Sequence, residues 1–157
     1  MRLKYGAICA IVLALLGITV AMVVAENDID EFRSCNNCGM DRKAYGYSRM
    51  VITYDNGSRV GVCSLHCAIT ELDEHKGVAV KSLLVADRNS RALVDAKKAF
   101  WVVGGSKRGV MTQNPKWAFA TMDAAQTFVN SNGGKITGWD AALLAAREDA
   151  TPKSHLR

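Results

Sequence analysis

Two closely spaced pairs of cysteines are the most chemically informative feature of this 157-residue sequence. Cys35 and Cys38 are separated by two residues, and Cys63 and Cys67 by three. Two cysteines at such spacing can chelate one metal ion with little chain strain, and a second pair completes a thiolate site that is tetrahedral or of lower coordination. A fifth cysteine, Cys9, lies in an apolar segment near the start of the chain. The other four therefore predict one metal site.

The second pair lies at the start of a predicted helix. Ser64 is a favourable N-cap residue, and apolar residues recur at helical spacing from Leu65 to His75. Cys67 then falls in the first turn and shares a face with Cys63. We expect the positive end of the helix dipole to lower the pKa of both thiols, which favours metal binding. His66, between the two cysteines, either binds the metal or faces solvent, and we favour solvent.

Two methionines are candidate thioether ligands. Met40 follows directly in Cys38-Gly39-Met40, and Met111 lies in a glycine-flanked loop without helical periodicity. Thioethers select copper(I) among the ions that thiolates bind, although a lone methionine is more often core filler. We therefore assign copper(I) to a site formed by six residues, with zinc as the alternative because four-cysteine sites commonly hold it. The six are Cys35, Cys38, Met40, Cys63, Cys67 and Met111.

Disulfides and thiol catalysis are the competing interpretations of the cysteines. An even number of cysteines in an exported domain can form two disulfides. A redox pair of the Cys35-x-x-Cys38 type normally opens a helix, and Gly39 argues against one here. Bond cleavage by thiols would need a carboxylate beside two of them, for which Asp41 and Asp87 are the candidates. Since no Ser-His-Asp set or paired general acid and base can be placed, we predict a binding protein and not an enzyme.

The N-terminal segment predicts export. Residues Tyr5 to Ala25 are almost wholly apolar, follow Arg2 and Lys4, and precede an acidic run, which is the layout of a signal sequence. Cleavage after Ala25 is one outcome. An uncleaved segment of about 20 apolar residues could instead span a bilayer, with the rest of the chain outside the cytoplasm. Both outcomes place the domain on the periplasmic side, anchored or secreted.

Charge and length limit the remaining classes of function. The formal net charge is +5, of which Arg2 and Lys4 supply two, so residues 26–157 carry only +3. Basic residues are scattered along the sequence and not interleaved with aromatic ones, so we do not expect nucleic-acid binding. The length leaves room for one domain. We predict a signal peptide or anchor at 1–25, the metal-binding domain at 26–148 and a flexible tail at 149–157.

The pattern of elements around the cysteines predicts how they meet. Alternation from Tyr47 to Tyr54 indicates a strand, Asp55-Asn56-Gly57 supplies a tight turn, and Ser58 to Cys63 forms the return strand. This hairpin separates the two cysteine pairs in sequence and would bring them to one end. The later elements are predicted to be strands at Val78–Ala86, Ala99–Val103, Trp117–Thr121 and Lys135–Thr137, with helices from Asp123 to Gly133 and over Ala141–Arg147.

These elements indicate an α+β fold. The order strand, strand, helix, strand occurs twice, at about 47–86 and again at about 99–137, without a sequence repeat. We predict mostly antiparallel sheet with helices on one face, behind the N-terminal signal or anchor helix.

Several short motifs resemble one known family. Cys35-x-x-Cys38-Gly39-Met40, the hairpin and Gly109-Val110-Met111 look like NosL, the nitrous oxide reductase accessory protein. Ala118-Phe119 and Gly133-Gly134 add to the likeness, which covers most of residues 34–145.

The resemblance implies an exported copper(I)-binding protein, linked to maturation of the copper enzyme nitrous oxide reductase, with two strand-strand-helix-strand units similar to the organomercurial lyase scaffold. Cys38, Met40 and Met111 match the family's motifs. The expected partner is an extracytoplasmic copper enzyme or copper-relay protein. Typical members are lipoproteins, whereas no lipid-acceptor cysteine follows this apolar segment. The membrane anchor is therefore expected to be the segment itself or absent.

Overall fold

The structure, a computed structural model, describes residues 28–150. The predicted signal or anchor segment and residues 151–157 of the predicted tail lie outside this range. No helix within residues 28–150 combines the length and the apolar character needed to cross a membrane.

The described residues form seven strands and three longer helices, after a short helical turn at 28–31. The strands are β1 (Met50–Tyr54), β2 (Arg59–Val62), β3 (Val80–Ala86), β4 (Leu93–Asp95), β5 (Phe100–Val103), β6 (Lys116–Phe119) and β7 (Lys135–Thr137). The helices are α1 (Leu65–Glu74), α2 (Met122–Asn132) and α3 (Trp139–Ala150). The last helix is longer than predicted, so Asp149 belongs to it and not to the tail.

Two antiparallel sheets confirm the predicted α+β class. One has the order β2-β1-β3-β4 and the other β6-β5-β7. Each contains a strand-strand-helix-strand unit, formed by β1, β2, α1 and β3 in the first and by β5, β6, α2 and β7 in the second. The edge strand β4 was not predicted, because its three residues are too short to show alternation.

The hairpin between β1 and β2 forms at the predicted turn. The Asn56 side-chain oxygen accepts a hydrogen bond from the Ser58 amide at 2.9 Å, and Gly57 has φ +86°. A residue with a Cβ atom is strained at this φ, which accounts for the glycine. The register places Met50 opposite Val62, so the chain leaves β2 toward Cys63 at the end where β1 begins.

The cores show how the helices cover the second sheet. Trp101 of β5 packs in the main core with Ala142 and Ala146 of α3. Its neighbour Val102 packs with Phe128 of α2 in a separate cluster. Because successive strand residues point to opposite faces, α2 and α3 lie on opposite faces of this sheet. The expectation that all helices share one face was therefore wrong, since it took no account of β5 being apolar on both sides.

A buried charge network joins the N-terminal turn to the first sheet. Asp28 is 2% exposed and pairs with two buried arginines, Arg42 at 2.9 Å and Arg49 at 2.8 Å. Arg42 also donates to the carbonyl oxygens of Met50 and Val62, and to those of residues 28 and 32. With the bond to the Asp28 carboxylate, these use all five guanidinium N–H groups.

Loss of the Asp28 charge should destabilise the fold. Asp28→Asn removes the carboxylate charge that pairs with two buried guanidiniums, and breaking a buried ion pair typically costs about 3 kcal/mol or more in the free energy of unfolding. The measurement is urea unfolding of the full chain, followed by tryptophan fluorescence. Asp30→Asn, at an exposed position two residues away, is the matched control and should change little. Equal midpoints for the two variants would contradict the structural role of the network.

Candidate metal centre

The structure brings the four cysteines together. Their Sγ atoms all lie within 4.8 Å of one another, and Cys63 Sγ is 3.6 Å from the Sγ atoms of both Cys38 and Cys67. All four are free thiols. A metal ion with tetrahedral sulfur bonds of about 2.3 Å holds its sulfur atoms about 3.8 Å apart. The thiols are therefore spaced for one ion with little movement of the chain.

The first pair lies in a tight loop. The Cys35 amide donates to the Met40 carbonyl at 2.8 Å, and the Gly39 amide donates to the Cys35 carbonyl at 2.9 Å. A β-bridge between Ser34 and Asp41 closes the loop. Gly39 has φ +74°, a conformation that costs glycine little, so the glycine after the second cysteine is needed for the turn. The loop is not the helix that a redox pair would open.

The second pair lies where β2 passes into α1. Ser64 occupies the N-cap position with an extended backbone, and its carbonyl accepts from the Ala68 amide at 3.0 Å. Its hydroxyl caps no amide and instead lies 3.8 Å from Cys63 Sγ. The predicted helix start is confirmed. The prediction that the serine side chain caps the helix was wrong, because its hydroxyl contacts the Cys63 sulfur and no backbone amide.

Asn36 and Glu71 fasten the first loop to the helix. The Asn36 amide donates to the Gly61 carbonyl and its side chain to a Glu71 carboxylate oxygen, both at 3.0 Å. Glu71 is 1% exposed and lies one turn after Cys67. The Tyr54 hydroxyl donates to its other oxygen at 3.2 Å. Burial and the Glu71 carboxylate raise the pKa of Tyr54 to about 12, so this hydroxyl remains a donor.

Sequence reasoning did not find this contact. The only sign of it is that Glu71 lies on the core-facing side of the amphipathic α1. A carboxylate on such a face usually has a buried partner. The identity of that partner, Asn36, depends on a tertiary contact between residues 35 positions apart.

Further contacts place Cys63 and set the charge around the thiols. The Ser48 hydroxyl donates to the Cys63 carbonyl at 2.8 Å, and Arg42 donates to the preceding carbonyl, that of Val62, at 3.2 Å. The Arg42 guanidinium lies close enough to Cys35 for the two charges to interact. The positive charge of Arg42 therefore favours an anionic cysteine cluster.

The thiols do not share their negative charge equally. Hydrogen bonds from the Cys63 and Cys67 thiols hold the pKa of Cys35 far below its usual range. The same bond to Cys35, with burial, raises the pKa of Cys63 to about 12, and the pKa of Cys67 is raised for the same reasons. We expected the helix dipole to lower the pKa of Cys63 and Cys67. That expectation was wrong, because these thiols are buried and donate to the Cys35 thiolate.

Exposure distinguishes the four thiols. Cys35, Cys63 and Cys67 are 3%, 0% and 0% exposed, whereas Cys38 is only half-buried. Met40 is also half-buried and packs against the same core as the cysteines. The site therefore opens to solvent on the side of Cys38.

Met111 lies outside the packed cysteine core. It is 45% exposed and has φ +55°, a strained conformation for a residue with a side chain. Among the described residues, those packed around the cysteines include Met40 and the neighbouring Val110 but not Met111. Met111 lines a surface cleft of about 570 Å³ with Arg108 and Asp149. The structure therefore places it beside the cysteine core without bringing it into the cluster.

We favoured a His66 side chain that faces solvent, but in the structure this side chain is partly buried. Its Nδ1 atom is buried and has no hydrogen-bond partner in the part of the chain that the structure describes. The imidazole lies near enough to Asp149 to influence the pKa of that carboxylate. One edge of the imidazole is thus shielded from water, on the side of α1 where Val110 and Thr112 of the Met111 loop lie.

The unequal pKa values can be tested without metal. In the reduced, metal-free full chain, we expect one thiolate at mildly acidic pH, seen as ultraviolet thiolate absorbance, because the pKa of Cys35 is lowered. Cys35→Ser should remove that absorbance, and Cys38→Ser, which keeps the Cys63 and Cys67 donors, should retain it. If the absorbance were instead retained in Cys35→Ser and lost in Cys38→Ser, the thiolate would be on Cys38, which would contradict the account.

Comparison with known proteins agrees with the motif resemblance. The profile of the NosL family matches residues 26–143. A crystal structure of the copper chaperone NosL from Shewanella denitrificans is similar in fold, with a TM-score of 0.57 and 24% sequence identity over 71% of this chain and 90% of that one. No curated protein matches the chain. Because the profile covers well over half of the sequence, the chain belongs to the NosL family.

Proposed function

We propose that this protein is an exported copper(I)-binding metallochaperone that delivers copper to an extracytoplasmic copper enzyme such as nitrous oxide reductase. The observation that carries the proposal is the cluster of four thiols within 4.8 Å of one another, of which Cys38 alone is not fully buried. The family assignment supports it. A related structure is described as a copper chaperone, which points in the same direction.

The donor atoms favour copper(I) over zinc. The sulfur spacing suits either ion, so spacing alone does not choose between them. Thioether sulfur is a soft donor that selects copper(I). Met40 packs against the thiol core and Met111 follows Val110, which also belongs to it. We therefore assign Met40 and Met111 as accessory ligands on the exposed side of the site.

The burial pattern suits transfer by ligand exchange. A ligand from the recipient can approach the ion only from the side of Cys38, because the other three sulfur atoms are buried. As the recipient's ligand binds, Cys38 can be released first, and the buried thiols then give up the ion stepwise. The copper remains copper(I) throughout, so no electron donor or acceptor is required. This is binding and release, and no catalytic residue is assigned.

Export of the domain is part of the proposal. The support is the apolar segment from Tyr5 to Ala25, preceded by Arg2 and Lys4. Asp28, the first described residue, already belongs to the buried charge network. Cleavage after Ala25 would leave this network intact, and an uncleaved segment would hold the domain directly at the membrane surface.

Copper(I) binding should depend on Cys38 and on Met111. The full chain, reduced and free of oxygen, is titrated with copper(I) in competition with a chromophoric chelator, and in parallel with zinc. We expect about one equivalent of copper(I), bound in preference to zinc. Cys38→Ser should weaken copper(I) binding by about a hundredfold or more. This exceeds the loss that is usual when a residue that only contacts a metal ligand is replaced. Met111→Leu should weaken copper(I) binding and leave zinc binding unchanged.

Met122→Leu is the matched control, because Met122 is 48% exposed, close to the value for Met111, and lies in α2. It should leave both affinities unchanged. Tight zinc binding with negligible affinity for copper(I) would instead establish a structural zinc site. Native material that contains the four cysteines only as disulfides would establish a cross-linked domain, and either result would refute the chaperone.

A further inference from the structure

A second feature of the surface is a cleft of about 430 Å³ with a strongly positive lining. Four cations line it, Arg88, Arg91, Lys107 and Arg108, together with the aromatic rings of Tyr47 and Trp117. We call it the cationic cleft. No acidic residue of the described chain lines it. Along the sequence the four cations look scattered, because they come from two loops that are adjacent only in the folded protein.

Within residues 28–150, no carboxylate forms an ion pair with any of the four cations. Arg88 lies over the rings of Trp117 and Phe128, at 5.2 Å and 4.7 Å from their centroids. This stacking holds the guanidinium in place without neutralising it. The cleft therefore contains a positioned positive charge that lacks an anion.

Two buried N–H groups on residues that line the cleft also lack acceptors. The Nε atom of Arg88 and the Nε1 atom of Trp117 are buried and have no hydrogen-bond partner among residues 28–150. Trp117 is only 3% exposed. Buried donors are nearly always paired in folded proteins, so two unpaired donors on residues that line one cleft indicate a missing acceptor.

The backbone of the loop limits which anion fits. Asp87 accepts hydrogen bonds from the amides of Asn89 and Ser90, at 3.0 Å and 2.7 Å, and the Arg88 amide donates to the Ala118 carbonyl at 2.9 Å. The Arg91 amide is likewise used, by the Asp87 carbonyl. A compact phosphate is usually held by free backbone amides. The amides of residues 88 to 91 are thus all used, and the long, separated side chains that line the cleft suit several carboxylates spaced along a peptide.

The cationic cleft adjoins the cleft that Met111 lines. Arg108 lines both this cleft and the cleft that contains Met111. A partner seated on the cations would therefore lie next to the exposed methionine. Charge attraction at this point would orient the partner before the ion moves.

We propose that the cationic cleft is the docking site for a carboxylate-rich segment of the protein that receives the metal. The proposal rests on the metallochaperone function, since it gives the recipient an acidic surface beside its metal-accepting group. Arg88 is the central contact, and Lys107 and Arg108 extend the contact toward Met111.

The test is calorimetric titration of the full chain with a short polyglutamate peptide, with a polylysine peptide and inorganic phosphate as the other ligands. We expect polyglutamate to bind more tightly than phosphate, polylysine not to bind, and added salt to weaken the binding. Replacement of both Lys107 and Arg108 by Gln should weaken polyglutamate binding about tenfold. Arg88→Gln should also weaken it.

The double change of Lys97 and Lys98 to Gln is the matched control, because it removes two adjacent exposed charges outside the cleft. It should leave the affinity for polyglutamate unchanged. Equal loss in both double variants, or phosphate binding as tightly as the peptide, would overturn the proposal. Copper(I) binding is measured on the same samples. Intact copper binding with no peptide binding would refute the docking site alone, whereas lost metal binding in the wild type would refute the chaperone.

Discussion

The fold depends on one buried guanidinium. Arg42 uses all five of its N–H groups, on the Asp28 carboxylate and on backbone carbonyls that include those of Met50 and Val62. Arg42 follows the first cysteine loop directly, and Val62 precedes the second pair. Arg42 therefore links the two halves of the metal centre, and the contacts of Asn36 with Gly61 and Glu71 add to that link. Isolated charges are costly to bury, so the arrangement is stable only because every donor has an acceptor and Asp28 supplies the opposite charge.

The same network accounts for the protonation of the thiols. The Arg42 guanidinium lies close enough to Cys35 for their charges to interact, and hydrogen bonds from the Cys63 and Cys67 thiols lower the pKa of Cys35, so a negative charge on the cluster is favoured there. Further ionisation is opposed by burial and by the first thiolate, as the raised pKa of Cys63 and Cys67 shows. A bound cation would remove that opposition, so protons must leave as metal enters. Release should accordingly become easier when the thiols can regain protons.

The local parts of this account could be predicted from sequence, and the long-range parts could not. The turn at Asn56 and Gly57 and the start of α1 follow from residue types within a few positions, and both formed as predicted. The contacts of Asp28 with Arg42 and of Asn36 with Glu71 join residues that are distant in the chain, and no periodicity marks them. The order of thiol ionisation failed as a prediction for the same reason, since it depends on which sulfur atoms meet in the folded core. The cationic cleft likewise combines loops that look unrelated in sequence.

The central claim is that one soft ion is held by the converging sulfur atoms. X-ray absorption at the copper edge, on the full chain loaded with one equivalent of copper(I) under reducing conditions, measures the ligand atoms directly. The account predicts a first shell of sulfur alone, with the low coordination number that permits exchange. A first shell dominated by nitrogen or oxygen would contradict it, because the copper would then lie away from the four thiols.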